Sequence, residues 1–141
     1  MIILDTNVVS EPMRLKGEAS VQEWLDNQVA ETLYLTSTSL AELLAGIEIL
    51  PIGKRRATLS AMIAEAIEKL FGDRILPFDR NAATVYAKVH GRVRASGRTI
   101  SFANAQIQIA AIATTRGFAV ATRDTAPFEA AGLRVINPWA R

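Results

Sequence analysis

The chain contains no cysteine and a single histidine, His90, among its 141 residues. Without cysteine there are no disulfides, no thiolate metal sites and no cysteine nucleophile. With one imidazole, a zinc site built on Cys and His has almost nothing to draw on, and a His-based triad would rest on His90 alone. Any metal must therefore be held by oxygen, which points to Mg²⁺ or Mn²⁺. No apolar run approaches the ~20 residues of a membrane span, so no membrane partner is expected. A basic leader ahead of the first apolar stretch is also missing, and with it the pattern of a signal peptide; a cytoplasmic protein is expected. Charge of one sign is scarce too. Sixteen Lys and Arg face fourteen Asp and Glu, for a net +2. The sequence pI of about 9.3 permits an anionic partner and does not require one.

What is present is an ordinary globular mixture, 50% hydrophobic and 21% charged. The length suits one domain over 1–141 with a core of its own. No repeat, linker or low-complexity tract divides it. Ile2 to Leu4 is expected as a first strand, followed by a loop through Pro12 and Gly17. Val21, Trp24, Leu25 and Val29 share a face at helical spacing, which predicts a helix over about 19–30. "LYLTS" is a second strand. In "STSLAELLAGIEIL" a hydroxyl residue caps a helix with Leu40, Leu43, Leu44 and Ile47 on its apolar stripe. Pro51 and Gly53 break the chain before a long helix carrying Leu59, Met62, Ile63, Ala66, Ile67, Leu70 and Phe71, with Gly72 suited to its C-cap. "RILPFD" is a third strand. Asp79 is placed to cap a helix bearing Val85, Tyr86, Val89 and Val93, which Gly97 stops. A helix starts near Ser101 and runs to about Arg116. "FAVATRD" is a fourth strand, "PFEAAG" a short helix and "LRVIN" a last strand. This alternation implies an α/β fold with a mainly parallel sheet covered on both faces.

The first strand ends in a carboxylate: "MIILDTN" places Asp5 directly after Leu4. In open α/β sheets ligands bind outside the carboxyl ends of the strands. Asp124 follows "AVAT" and belongs on the same edge. Glu42 lies in the first turn of the helix after the second strand, and a right-handed crossover returns that helix start to the same edge. Each acid has a plain structural role open to it. Asp5 suits a turn cap, Glu42 a first helical turn and Asp124 an N-cap. Three carboxylates meeting in a partly dry cleft repel one another, and a divalent cation removes that cost.

"MIILDTN", "TSLAELLAGI" and "FAVATRDTAPFEAAGLRVINPW" together resemble the PIN-domain ribonuclease toxins of the VapC type, with the Fit-type trafficking proteins a close branch. The resemblance runs along essentially the whole chain. It implies a PIN-like α/β/α sandwich with a mainly parallel sheet of four or five strands. It also implies Mg²⁺- or Mn²⁺-dependent endoribonuclease activity, a dimer, and a small DNA-binding antitoxin whose tail blocks the active site. Operator DNA would be met only through that antitoxin. By position, Asp5, Glu42 and Asp124 match acidic metal ligands. Thr6 and Asn7 match the polar residues behind the first acid, and Thr122 and Thr125 match flanking hydroxyls.

The chain departs from the family at the third acid. Where the pattern has an Asp in a context like "ISFADAQIAAIA", this chain has "ISFANAQIQIAAIA". Counting from Gly97 puts the acidic position on Asn104. Counting back from Asp124 puts it on Gln106. The match of "SFAxAQI" favours Asn104. Either residue is an amide, which brings no negative charge, so metal affinity should fall and activity with it. An alternative reading follows: a catalytically impaired PIN-fold binding module acting in a DNA-bound complex with its antitoxin. A phosphatase-like use of Asp5 as nucleophile wants a second Asp two residues on, and Asn7 stands there.

Basic residues offer contacts for RNA phosphates: Lys54 and Arg55 in "KRR", and Arg98 near the predicted helix start. Arg123 adjoins Asp124 and could pair with it or bind RNA. His90 is expected at the surface or an interface. Pro138 and Trp139 could anchor the tail to the domain or meet a second subunit.

Overall fold

The computed structural model describes residues 1–96 and 104–140. A five-stranded parallel sheet has the order β3-β2-β1-β4-β5. The strands are β1 (Ile2–Leu4), β2 (Leu33–Thr36), β3 (Ile75–Leu76), β4 (Ala119–Ala121) and β5 (Val135–Ile136). The first strand is central, pairing with β2 on one side and β4 on the other. Both faces of the sheet are buried, which explains its unbroken apolar runs. Ile3 and Val120 point into one apolar cluster, whereas Ile2, Leu4, Ala119 and Ala121 point into another.

The helices that cover these faces are α1 (Thr6–Ser10), α2 (Ala19–Asp26), α3 (Ser37–Glu48), α4 (Lys54–Glu65), α5 (Arg80–Ala95), α6 (Asn104–Arg116) and α7 (Thr125–Ala130). Helix α4 runs on as a π-helical segment, Ala66–Phe71, and Gly72 leaves it at φ 53°. One cluster joins the sheet to α5, α6 and α7 through Ala82, Val89, Val93, Ile107, Ile112 and Phe128. The other joins it to α1 to α4 through Val8, Val21, Leu43, Ile47, Ile63 and Phe71. The expected α/β sandwich is present. Among the described residues no helix is long and apolar enough to cross a membrane.

Several local expectations are corrected. The stretch after Asp5 is helical over Thr6–Ser10 and then forms a 3₁₀ turn, Glu11–Met13, instead of a loop. Helix α2 ends at Asp26, so Val29 lies beyond it and is exposed. Leu44 is half exposed, leaving Leu43 and Ile47 as the fully covered part of the α3 stripe. The hydroxyl that caps α3 is Thr36, whose Oγ1 accepts from the Ser39 N–H at 3.0 Å. Because α3 starts at Ser37, Glu42 falls in its second turn, not its first. Asp79 caps α5 through Oδ1, which accepts from the Ala82 N–H at 3.0 Å. Gly97, Arg98 and Ser101 lie outside the described residues.

Candidate active site

The parallel order fixes the edge on which the site lies. Strands β1 and β4 are adjacent, so the residues that follow them, Asp5 and Asp124, emerge side by side. Helix α3 leaves the end of β2, on the other side of β1, and brings Glu42 back to that edge. A cleft of about 440 Å³ is lined there by Asp5, Thr6, Asn7, Ser10, Glu42, Gln106 and Asp124.

Asp5 is the buried member, 4% exposed. Its Oδ1 accepts from the Thr6 N–H at 2.7 Å and caps α1. Its Oδ2 accepts from Thr122 Oγ1 at 2.8 Å. Burial pushes its pKa above the usual carboxylate value, while the Thr122 and Thr6 hydrogen bonds pull it down. The negative charges of Glu42 and Asp124 push it up further. The cap and the functional position thus coincide in one residue.

Thr122, fully buried, passes the arrangement on. It donates to Asp5 and accepts from the Asp124 N–H at 2.9 Å. The Asp124 side chain occupies the N-cap position of α7 yet makes no cap hydrogen bond. Its Oδ2 accepts instead from Gln106 Nε2 at 3.2 Å. Thr6 Oγ1 donates to Glu42 Oε1 at 2.7 Å. Asn7 Oδ1 accepts from the Arg123 N–H at 3.3 Å, tying the β4–α7 loop to α1.

The amide facing the acids is therefore Gln106. Asn104, which the sequence favoured, does not line the cleft. It is exposed, and its Oδ1 accepts from the Tyr86 hydroxyl at 3.4 Å. Ser10 was missed altogether; its place in the cleft depends on α1, which Asp5 begins and whose face repeats Thr6 at Ser10. Thr125 opens α7 beside Asp124 but lies off the cleft lining. Lys54 and Arg55 begin α4. Arg55 lines a separate apolar groove that shares Thr6, Ser10 and Glu42 with the cleft.

The family model described as PIN domain matches residues 2–133. The chain belongs to the PIN domain family. Three relatives align over 139 residues, 99% of this PIN domain chain. Plasmid stability protein StbB of Pseudomonas syringae pv. tomato is 50% identical, with 99% of its length covered. VapC ribonuclease Y4jK of Sinorhizobium fredii is 45% identical, with 98% covered. Toxin FitB of Neisseria gonorrhoeae is 42% identical, with 99% covered. A solved structure of FitAB bound to an IR36 DNA fragment is similar to all of this chain and 97% of that one, at 40% identity and a TM-score of 0.93.

The donor set of this PIN domain suits a hard cation. Around the cleft it offers carboxylates, hydroxyls and amide oxygens, and no sulfur or imidazole. Among the described residues no three His, Asp or Glu side chains close into a metal-holding group. Each acid is instead tied to its own polar neighbour, Thr122, Thr6 or Gln106.

Proposed function

We propose that this chain is the toxin of a type II toxin–antitoxin pair and cleaves RNA phosphodiester bonds as a divalent-metal-dependent endoribonuclease. The observation that carries the reading is the meeting of Asp5, Glu42 and Asp124, from three separate elements, around one cleft. The relatives support it in their names: one is a VapC ribonuclease and one a toxin.

Asp5, Glu42 and Asp124 would hold Mg²⁺ or Mn²⁺, directly or through water. When bound, the ion supplies a lowered pKa to an attacking water and offsets charge on the phosphate. Thr122 and the Thr6 N–H fix both oxygens of Asp5, so its carboxylate is oriented before any ligand arrives. Thr6 steadies Glu42 by one oxygen and leaves the other for water. Water is the nucleophile, so no covalent enzyme intermediate is needed. Gln106 holds Asp124 without adding charge, which weakens cation binding relative to an acid in its place. Lys54, Arg55 and Arg98 add positive charge for the RNA backbone.

The partner would be a small DNA-binding antitoxin. A relative, FitAB, has been solved on DNA. A groove of about 240 Å³ offers a seat for the antitoxin tail. It is walled by Met13, Leu43, Ile47, Leu50, Leu59 and Ile63, and it runs up to Thr6 and Glu42. The toxin would meet operator DNA only through that partner, as a homodimer in the cytoplasm. A second reading rests on Gln106. With an amide at the third position, the chain would be a catalytically impaired binding module in the DNA-bound complex. Incubating the purified protein with RNA and Mn²⁺ decides between them. Cleavage by the wild type, abolished in Asp5→Ala and blocked by the antitoxin, supports the enzyme. No cleavage by the wild type, with full cleavage by Gln106→Asp, supports the impaired module.

A further inference from the structure

The loop between β4 and α7 presents an arginine that makes no ion pair among the described residues. Arg123 lies between Thr122, which holds Asp5, and Asp124, which lines the cleft. Its backbone N–H donates to Asn7 Oδ1 at 3.3 Å, so the residue is pinned to the rim. The guanidinium is exposed and rests 5.4 Å from the centre of the Trp139 ring. Among the described residues it makes no ion pair, although Asp124 is its immediate neighbour. The Asp124 carboxylate turns instead to Gln106.

Trp139 is a firm base for it. The ring packs against the apolar cluster on the α1–α4 side of the sheet, and Pro138 before it is buried. The backbone N–H of Trp139 donates to Asn137 Oδ1 at 3.0 Å, which fixes the chain there. A guanidinium over an indole keeps one face on the ring and its edge donors outward. That edge matches a phosphate, to which two parallel N–H bonds can run. The need for such a group is electrostatic. The cleft carries three carboxylates, and an approaching RNA phosphate is repelled by whatever part of that charge a cation leaves uncancelled.

We propose that Arg123, braced by Trp139, grips an RNA phosphate next to the one cut in the cleft. This rests on the nuclease reading above. The Trp139 ring holds the guanidinium outward and away from Asp124, so the cation is not lost to an internal ion pair. The arginine is a binding residue, and Trp139 is its positioning residue.

The test measures binding of a fluorescein-labelled single-stranded oligoribonucleotide of mixed sequence by anisotropy, in chelator and across a salt series. Cleavage of the same RNA in Mn²⁺ is followed in parallel. Arg123→Ala should bind about tenfold more weakly than wild type. Its log–log salt slope should shrink by about 0.7, one phosphate contact. Arg123→Lys should restore the slope but only part of the affinity. Trp139→Leu should weaken binding while keeping the slope, and Trp139→Phe should rescue it. In a Trp24→Phe background Trp139 is the sole tryptophan, and its emission should change as RNA is added. Circular dichroism and thermal melts show that each variant is folded; Arg123→Lys keeps the test open if the alanine variant is not. Binding and slope unchanged in Arg123→Ala overturn the proposal, and so does a wild type that binds no RNA. If the wild type cleaves RNA while Arg123→Ala binds and cleaves normally, the grip falls and the nuclease stands. If no RNA is cleaved at all yet Arg123→Ala binds more weakly, the nuclease reading falls and the RNA contact survives.

Discussion

Replacing Thr122 by valine keeps the shape of a buried side chain and removes one oxygen. That oxygen donates to Asp5 Oδ2 at 2.8 Å and accepts from the Asp124 N–H at 2.9 Å. A hydrogen bond to a charged group contributes about 1.5–3 kcal/mol. Leaving a part-buried N–H unpaired costs about a further 1 kcal/mol. Thr122→Val should therefore destabilise the metal-free protein by about 3 kcal/mol at neutral pH, a fall in Tm on the order of 10 °C. The penalty should depend on pH with a definite sign. In the fold, the Asp5 pKa stands above its ordinary 3.8, mainly through burial, and the Thr122 hydroxyl works against that rise. A raised folded pKa means that stability is lost as pH climbs from the unfolded value through the folded one. Removing the hydroxyl raises the folded pKa further and enlarges that loss. The difference between variant and wild type should thus be greatest above the folded pKa of Asp5. It should shrink as pH falls below the ordinary carboxylate value, where both states are protonated. Urea unfolding of both proteins across this range, in chelator, measures it. A difference under about 1 kcal/mol at neutral pH, or one that does not narrow in acid, would refute the role given to Thr122.

Gln106→Glu should restore a fourth negative charge to the cleft and bind Mn²⁺ at least about tenfold more tightly, as titration calorimetry would show. In chelator the same variant should be less stable than wild type, because the new acid repels Asp5 and Asp124. Asp5→Asn should abolish RNA cleavage, yet at neutral pH in chelator it should melt no lower than wild type, since it removes a buried charge whose pKa the fold raises; a large drop in Tm would overturn that account. Gly17→Ala should cost about 2 kcal/mol or more by denaturant titration, because a Cβ there would stand 2.3 Å from the Glu11 carbonyl oxygen. Thr36→Ala removes the cap of α3 and should cost about 1 kcal/mol, a loss that Thr36→Ser should largely recover.

The sheet was legible because its strands are buried on both faces and so run apolar without alternation. Ile2 and Leu4 serve one core while Ile3 serves the other. The edge shared by Asp5 and Asp124 was legible because a parallel sheet sends the residues after adjacent strands there; Glu42 reaches it from the second turn of α3. Helix α1 was not legible. "TNVVS" has β-branched residues that disfavour a helix locally. Tertiary burial of Val8 and the Asp5 cap on the Thr6 N–H override that preference. The same short helix carries Thr6, Asn7 and Ser10 to the cleft, so missing it also hid Ser10. The end of α2 was overrun for the opposite reason: Val29 continues the helical spacing of Val21 and Leu25, but the chain has already turned and leaves it in solvent.

The choice between Asn104 and Gln106 turned on which end of α6 sets its rotation. Matching "SFAxAQI" counts from the helix start, where Asn104 is exposed and where the sequence runs on from residues beyond the described part. The core counts from the other end. Ile107, Ala110, Ala111 and Ile112 are buried against the sheet and α5, and a helix is held by its packed face more firmly than by its first turn. Successive residues are rotated by about 100°, so two positions apart is about 200°, close to opposite sides. Residues 104 and 106 therefore cannot both face the cleft. Asn104 lies toward Tyr86, and Gln106 reaches Asp124. Motif matching is reliable where the motif includes the residues that pack, and it slips where it rests on the helix start alone. In this chain that slip decides which side chain must change to restore a full acidic set: Gln106→Asp should raise metal affinity, whereas Asn104→Asp should leave it nearly unchanged, and measuring both against Mn²⁺ tests the rotation directly.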